Sequence, residues 1–94
     1  MAITLKFIGA LRHASGADSL AVTCKKSTSL MNIVNEVTRE APSLRRSLLD
    51  EQLDEPKPNG LILVNGKEIS VLNGLETKVK DGDEIVFVPV VHGG

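Results

Sequence analysis

The chain has 94 residues, 41% of them hydrophobic, which is enough for one domain with a single modest core and too little for a large internal cofactor cavity. A net charge of −1 and the lack of Trp and Tyr argue against direct nucleic-acid binding, which needs cationic surface and stacking platforms. No apolar run approaches the ~20 residues of a membrane span, no signal peptide precedes the first strand-like residues, and the lone Cys24 has no partner for an internal disulfide, so a cytoplasmic protein is expected.

In chain order, Ile3, Leu5 and Phe7 alternate with Thr4 and Lys6, the period of a half-buried strand. Residues 9–18, with two glycines and small polar residues, predict a loop. Leu20, Val22 and Cys24 alternate with Ala21 and Thr23, predicting a second strand that forms an N-terminal hairpin with the first. Ser27, Thr28 and Ser29 are N-cap candidates for a helix whose Leu30, Ile33, Val34, Val37 and Ala41 fall at helical spacing. Pro42 ends that helix by biasing Ala41 away from the helical region. Residues 43–50 have room for further turns, with Leu44 and Leu48 on one face, and residues 50–60 predict an exposed loop.

Leu61-Ile62-Leu63-Val64 is a continuous apolar run, expected of a strand covered on both faces. Asn65-Gly66 follows, the pair that a type I′ turn favours because both positions need positive φ. Residues 67–71 predict the return strand, Asn73-Gly74 another turn, and Asp81-Gly82 a reversal into the last strand over 84–88. Pro89 lacks a donor, so regular pairing fades there.

The order strand, strand, helix, strand, strand, strand predicts an α+β protein in which one main helix packs across a mixed sheet of about five strands. The first and last strands are candidates for parallel neighbours at its centre. This is the β-grasp, or ubiquitin-like, arrangement. It divides the chain into a domain over 1–89 and a C-terminal tail over 90–94, which spans about 15 Å when extended.

That tail ends in His92-Gly93-Gly94. Without Cβ atoms, two glycines thread a channel that any side chain would block, and they end in an unhindered carboxylate. Two terminal glycines arise by chance in about one chain in two hundred, so the rest of the sequence has to support the reading.

The rest of the sequence does support it. Lys6-Phe7-Ile8-Gly9-Ala10-Leu11-Arg12 resembles the first strand and loop of the molybdopterin synthase small subunit. Asn59 to Gly66 resembles the Ile/Leu-rich strand ending in Val-Asn shared by the ubiquitin-like sulfur carriers, and Lys80 to Ile85 their Asp-Gly-Asp turn. His92-Gly93-Gly94 is similar to the end of ubiquitin-related modifiers, whereas Val88-Pro89-Val90 is similar to molybdopterin synthase subunits. The chain thus resembles the ubiquitin-like sulfur-carrier family over nearly its whole length.

That resemblance implies a carrier rather than an enzyme. The Gly94 carboxylate would be adenylated by an E1-like enzyme using MgATP, with no cofactor held permanently by the chain. A persulfide on a sulfur-donor protein then displaces AMP to leave a thiocarboxylate, or a lysine amine of a target protein attacks the activated carbonyl. Gly93 supplies the slender approach. The His-Gly-Gly end points to the ubiquitin-related modifier branch and tRNA thiolation, with a tRNA-thiolating enzyme as acceptor. The alternatives are the small subunit of molybdopterin synthase, paired with its large subunit in molybdenum cofactor biosynthesis, and a β-grasp interaction module whose Gly-Gly does no chemistry.

The other residues offer weaker chemistry. Cys24, at an inward-facing strand position, reads as a small buried hydrophobe. His13 has no orienting acid or oxyanion site in the sequence, and two histidines and one cysteine lack metal-ligand spacing. Asp50, Glu51, Asp54 and Glu55 read as a solvated loop, and Lys25, Lys26, Arg45 and Arg46 as surface charge. The last strand is more informative. If Ile85 and Phe87 face the helix, Val86 and Val88 face outward beside Val90, and with Val91 and His92 they form a candidate partner-binding surface next to the reactive end; the competing reading has these valines covered by another part of the sheet or a loop.

Overall fold

The alternation at the start of the chain forms the centre of the molecule. In the computed structural model, which describes residues 2–52 and 55–89, β1 (Ile3–Phe7) buries Ile3, Leu5 and Phe7 and turns Thr4 and Lys6 to the other face. It pairs antiparallel with β2 (Ser19–Val22) and parallel with β9 (Glu84–Pro89), placing Phe7 beside Phe87. β6 (Gly60–Val64) and β7 (Lys67–Glu68) complete a five-stranded mixed sheet in the order β2-β1-β9-β6-β7. The parallel pairing of first and last strands is the one the sequence predicts. Two short ladders lie outside this sheet, β3 (Thr28–Ser29) with β8 (Lys78–Val79) and β4 (Leu49–Asp50) with β5 (Lys57–Pro58).

Among the described residues three α-helices accompany the sheet: α1 (Leu11–Ser15), α2 (Leu30–Thr38) and α3 (Pro42–Leu48). Leu11 of α1, Leu30, Ile33 and Val34 of α2, and Leu44 and Leu48 of α3 join Ile3, Leu5, Phe7, Ile62, Val64, Ile85 and Phe87 in one core. The Phe7 and Phe87 rings stack at its centre, 5.4 Å apart and 11° from parallel. No helix among the described residues is long and apolar enough to cross a membrane.

Ser29 is the residue that starts α2. Its Oγ accepts from the Asn32 backbone N–H at 3.1 Å, satisfying a donor that the first turn leaves unpaired. Ser29→Ala should lower stability by about 1 kcal/mol and the thermal midpoint by about 4–8 °C. An unchanged midpoint in calorimetry would show that the cap contributes nothing.

Several boundaries differ from the sequence reading. The region 9–18 contains α1, whose five residues are too few for a hydrophobic stripe to recur. α2 ends at Thr38, before Ala41. There the Thr38 hydroxyl donates back to the Val34 carbonyl at 2.7 Å, and the Ala41 N–H returns to the Thr38 carbonyl at 3.0 Å. Pro42 then begins α3, where its missing N–H costs nothing. The region 50–60 contributes β5, and the Asn59 N–H closes on the Leu48 carbonyl. Asn65 and Gly66 turn at φ +51° and +84°, as a type I′ turn requires. The return strand stops at Glu68, whose carboxylate accepts from the Ser70 N–H at 2.9 Å; a 3₁₀ turn over Ile69–Val71 follows and buries Ile69.

Candidate functional site

All three helices contribute buried side chains to the core that the inward-facing strand residues line, which leaves the chemistry of the opposite face to strand alternation. Ile85 and Phe87 are fully buried, while Val86 and Val88 point the other way and are half-buried. The expected outward direction of these two valines therefore holds. In register beside them lie Leu63, opposite Val86, and Leu61, opposite Val88. Ile8 flanks the same level from the other side, because its N–H continues the β1–β9 ladder to the Phe87 carbonyl at 3.0 Å. Leu61 is 52% exposed and Ile8 45%, and Leu63 is half-buried.

The expectation that Leu61–Val64 is covered on both faces is therefore overturned. Only Ile62 and Val64 are buried, since nothing among the described residues packs over Leu61 and Leu63 as a second layer. The result is an aliphatic patch of Ile8, Leu61, Leu63, Val86 and Val88 across three adjacent strands. Three of these residues were missed as site candidates. The apolar run gave no local signal for Leu61 and Leu63, because their exposure depends on how many layers cover the sheet, and Ile8 gave none at all. At the far end of the patch, Lys6 Nζ and Glu84 Oε2 form an ion pair at 2.9 Å, with both side chains nearly half exposed.

β9 carries the chain along this patch and ends at Pro89, its last described residue. The remaining site residues, Val90, Val91, His92, Gly93 and Gly94, lie outside the described residues. The site thus combines an outward apolar strand face with a sequence that continues from it into Gly-Gly.

The other candidates take structural places. Cys24 lies beyond the end of β2 rather than within it, half-buried against the core. Its N–H donates to Asp81 Oδ1 at 3.1 Å and its thiol reaches the same oxygen at 3.6 Å. Burial, then the Asp81 carboxylate, push the thiol pKa up, so it stays protonated, the opposite of a nucleophilic cysteine. His13 is exposed on α1. No cluster of His, Cys, Asp or Glu suited to a metal ion occurs among the described residues.

Arg45 is more than loose surface charge. Its guanidinium grips Glu51 through Nε (2.8 Å) and Nη2 (3.1 Å) and also donates to Asn35 Oδ1 (2.8 Å), tying α2 and α3 to the segment after β4. The hydrogen bond from Arg45 holds the Glu51 carboxyl below its usual pKa. At the turn before β9, burial works to raise Asp83, but hydrogen bonds from Asn65 and the Lys80 N–H outweigh it and leave its pKa low. These charges fix loops and lie outside the patch.

This fold and site can be set against known proteins. Small archaeal modifier protein 3 of Haloferax volcanii is 28% identical over 94 residues, the full length of both chains. Ubiquitin-related modifier 1 of Schizosaccharomyces pombe is 29% identical over 99 residues, again covering both chains completely. The solution structure of small archaeal modifier protein 1 from Methanosarcina acetivorans superposes with a TM-score of 0.78 at 32% identity, covering 98% of this chain and 95% of that one. These similarities confirm the ubiquitin-like β-grasp. The ThiS family model matches residues 5–94, and the chain belongs to that family of small ubiquitin-like carrier and modifier proteins.

Proposed function

We propose that this protein is a sulfur carrier and protein modifier whose Gly94 carboxylate is the reacting group. The observation that carries the reading is the coincidence of two features on one strand: β9 presents the aliphatic patch outward and leads, after Pro89, into the Gly-Gly end. A carboxylate is a poor electrophile. An E1-like partner seated on the patch would convert it with MgATP into an acyl adenylate, a mixed anhydride with AMP as leaving group. A persulfide sulfur from a donor protein attacks the carbonyl and AMP departs, leaving an acyl disulfide; a second thiol of the donor attacks its donor-side sulfur, becomes a disulfide and releases the thiocarboxylate. A target lysine can instead take the acyl group directly. The chain itself binds no cofactor in this scheme, and the work belongs in the cytoplasm, where Cys24 stays reduced.

Full-length relatives named as modifiers favour the modifier branch, and the sulfur route proposed with it is tRNA thiolation. Intact mass after incubation with source-cell extract, MgATP and a sulfur donor tests the proposal. Replacement of one oxygen by sulfur, or discrete heavier conjugates, is the expected result. No mass change in an extract that thiolates a known carrier would leave a plain binding module. A stable one-to-one complex with a larger synthase subunit would assign the chain to molybdenum cofactor biosynthesis instead.

A further inference from the structure

A strand at the edge of a sheet carries a row of unpaired N–H and C=O groups, and proteins blunt such edges with short strands, charge or proline. Among the described residues the five-stranded sheet has β2 at one edge and β7 at the other. β7 is blunted. It has two residues, both charged, and the Glu68 carboxylate takes the Ser70 N–H as the chain leaves into its 3₁₀ turn. β2 is not. Its four residues, Ser19-Leu20-Ala21-Val22, include neither a charge nor a proline.

The register identifies which groups are open. The Phe7 N–H donates to the Asp18 carbonyl at 2.9 Å, and β1 sets Leu5 against Leu20 and Ile3 against Val22. Antiparallel alternation therefore turns the N–H and C=O of Leu20 and Val22 toward β1, and those of Ser19 and Ala21 outward. Among the described residues nothing pairs with these four outward groups. The open stretch has defined ends. Before it, the Ser15 hydroxyl donates to the Ala17 carbonyl at 2.6 Å and accepts from the Ala17 N–H at 3.2 Å. After it, the Cys24 N–H is taken by Asp81. On the core side Leu20 and Val22 are only half-buried, which leaves an apolar margin beside the open backbone.

We propose that β2 is a docking edge for an extended acidic segment of another protein, which adds a strand to the sheet. The main chain of that segment pairs with Ser19 and Ala21, and its alternate apolar side chains cover Leu20 and Val22. Its acids answer what lies beyond Val22, the exposed Lys25 and Lys26, which form no ion pair among the described residues. With Lys80 these lysines outnumber Asp81 and Glu36, the acids that act on Cys24 at this end, and Asp81 is already held by the Cys24 N–H. Antiparallel pairing, the more stable kind, places the acids of the segment before its apolar residues. β1 separates this edge from β9, and Leu20 and Val22 lie on the face opposite the aliphatic patch. The docking edge therefore does not rest on the carrier reading.

The test adds a synthetic peptide, Asp-Glu-Asp-Val-Thr-Val-Thr, to the whole isotope-labelled chain and follows amide shifts and hydrogen exchange by NMR. Binding should slow exchange of the Ser19 and Ala21 amides about tenfold or more. Ala21→Pro removes an outward N–H at an edge position that tolerates proline. It should weaken the peptide about tenfold or more while the thermal midpoint stays within a few degrees of wild type. Lys25→Glu combined with Lys26→Glu, both on the surface, should weaken it about fivefold. A peptide N-methylated at both threonines, the residues level with Ala21 and Ser19, should not bind. This last comparison needs no variant of the protein. Failure of the unmodified peptide to bind overturns the docking edge, as does equal binding of its N-methylated form or binding without protection of Ser19 and Ala21. A peptide with lysines in place of its acids that binds as tightly overturns the acidic partner. Protection that appears without peptide and grows with protein concentration overturns it too, and assigns the edge to a second copy of this chain. The measurement uses neither MgATP nor a sulfur donor, so its failure leaves the carrier reading standing.

Discussion

Deletion of Gly94 is expected to abolish sulfur gain and conjugation while leaving the fold untouched. The shortened chain still ends in a glycine carboxylate, so its intrinsic reactivity is unchanged. What changes is position: the new terminus lies about 3.5 Å short of the old one. Errors of even 1 Å in reacting geometry can cost about 100-fold, so the loss should be at least that large. Stability should not follow, because the core ends with Phe87 and the last described pairing is Gly60 with Pro89. Intact mass and thermal denaturation on the same sample separate the two effects. A truncated chain that acquires sulfur at the wild-type rate would remove Gly94 from the chemistry.

Val86→Asp should raise the half-saturating carrier concentration about 100-fold, the size of effect expected when a central apolar contact of an interface is replaced by an unpaired charge. Val86 lies at the middle of the patch, with Leu63 opposite and Lys6 on the other neighbouring strand. Its side chain points away from the core, so the fold should lose only the strand preference of valine over aspartate, about 1 kcal/mol. Leu61→Asp, at a residue 52% exposed, should act on half-saturation in the same way. Unchanged half-saturation for both variants, with the fold intact, would show that the partner docks elsewhere. The signature differs from that of the Gly94 deletion, which removes the reaction.

Much of this protein is determined by local sequence. Period-two alternation sets which face of β1 and β9 is buried, since a one-residue slip would put Leu5 or Ile85 in water. Ser29, Asn65-Gly66 and the apolar stripe of α2 act within a few residues, through a cap, a turn and a helical period, so they are legible without the fold. The Gly-Gly end is legible for the same reason, since the absence of side chains is a local property.

Tertiary structure decided the rest. Whether Leu61 and Leu63 face a second layer or solvent depends on how many layers cover the sheet, which no local pattern encodes. Ile8 joins the patch only because β1 pairs in parallel with a strand some 80 residues later. Cys24 lost its strand position to a hydrogen bond that its N–H donates to Asp81, across 57 residues of sequence. Pro89 read in sequence as the place where pairing fades. In the fold β9 runs on to Pro89, which still pairs with Gly60, a register that only the folded sheet sets.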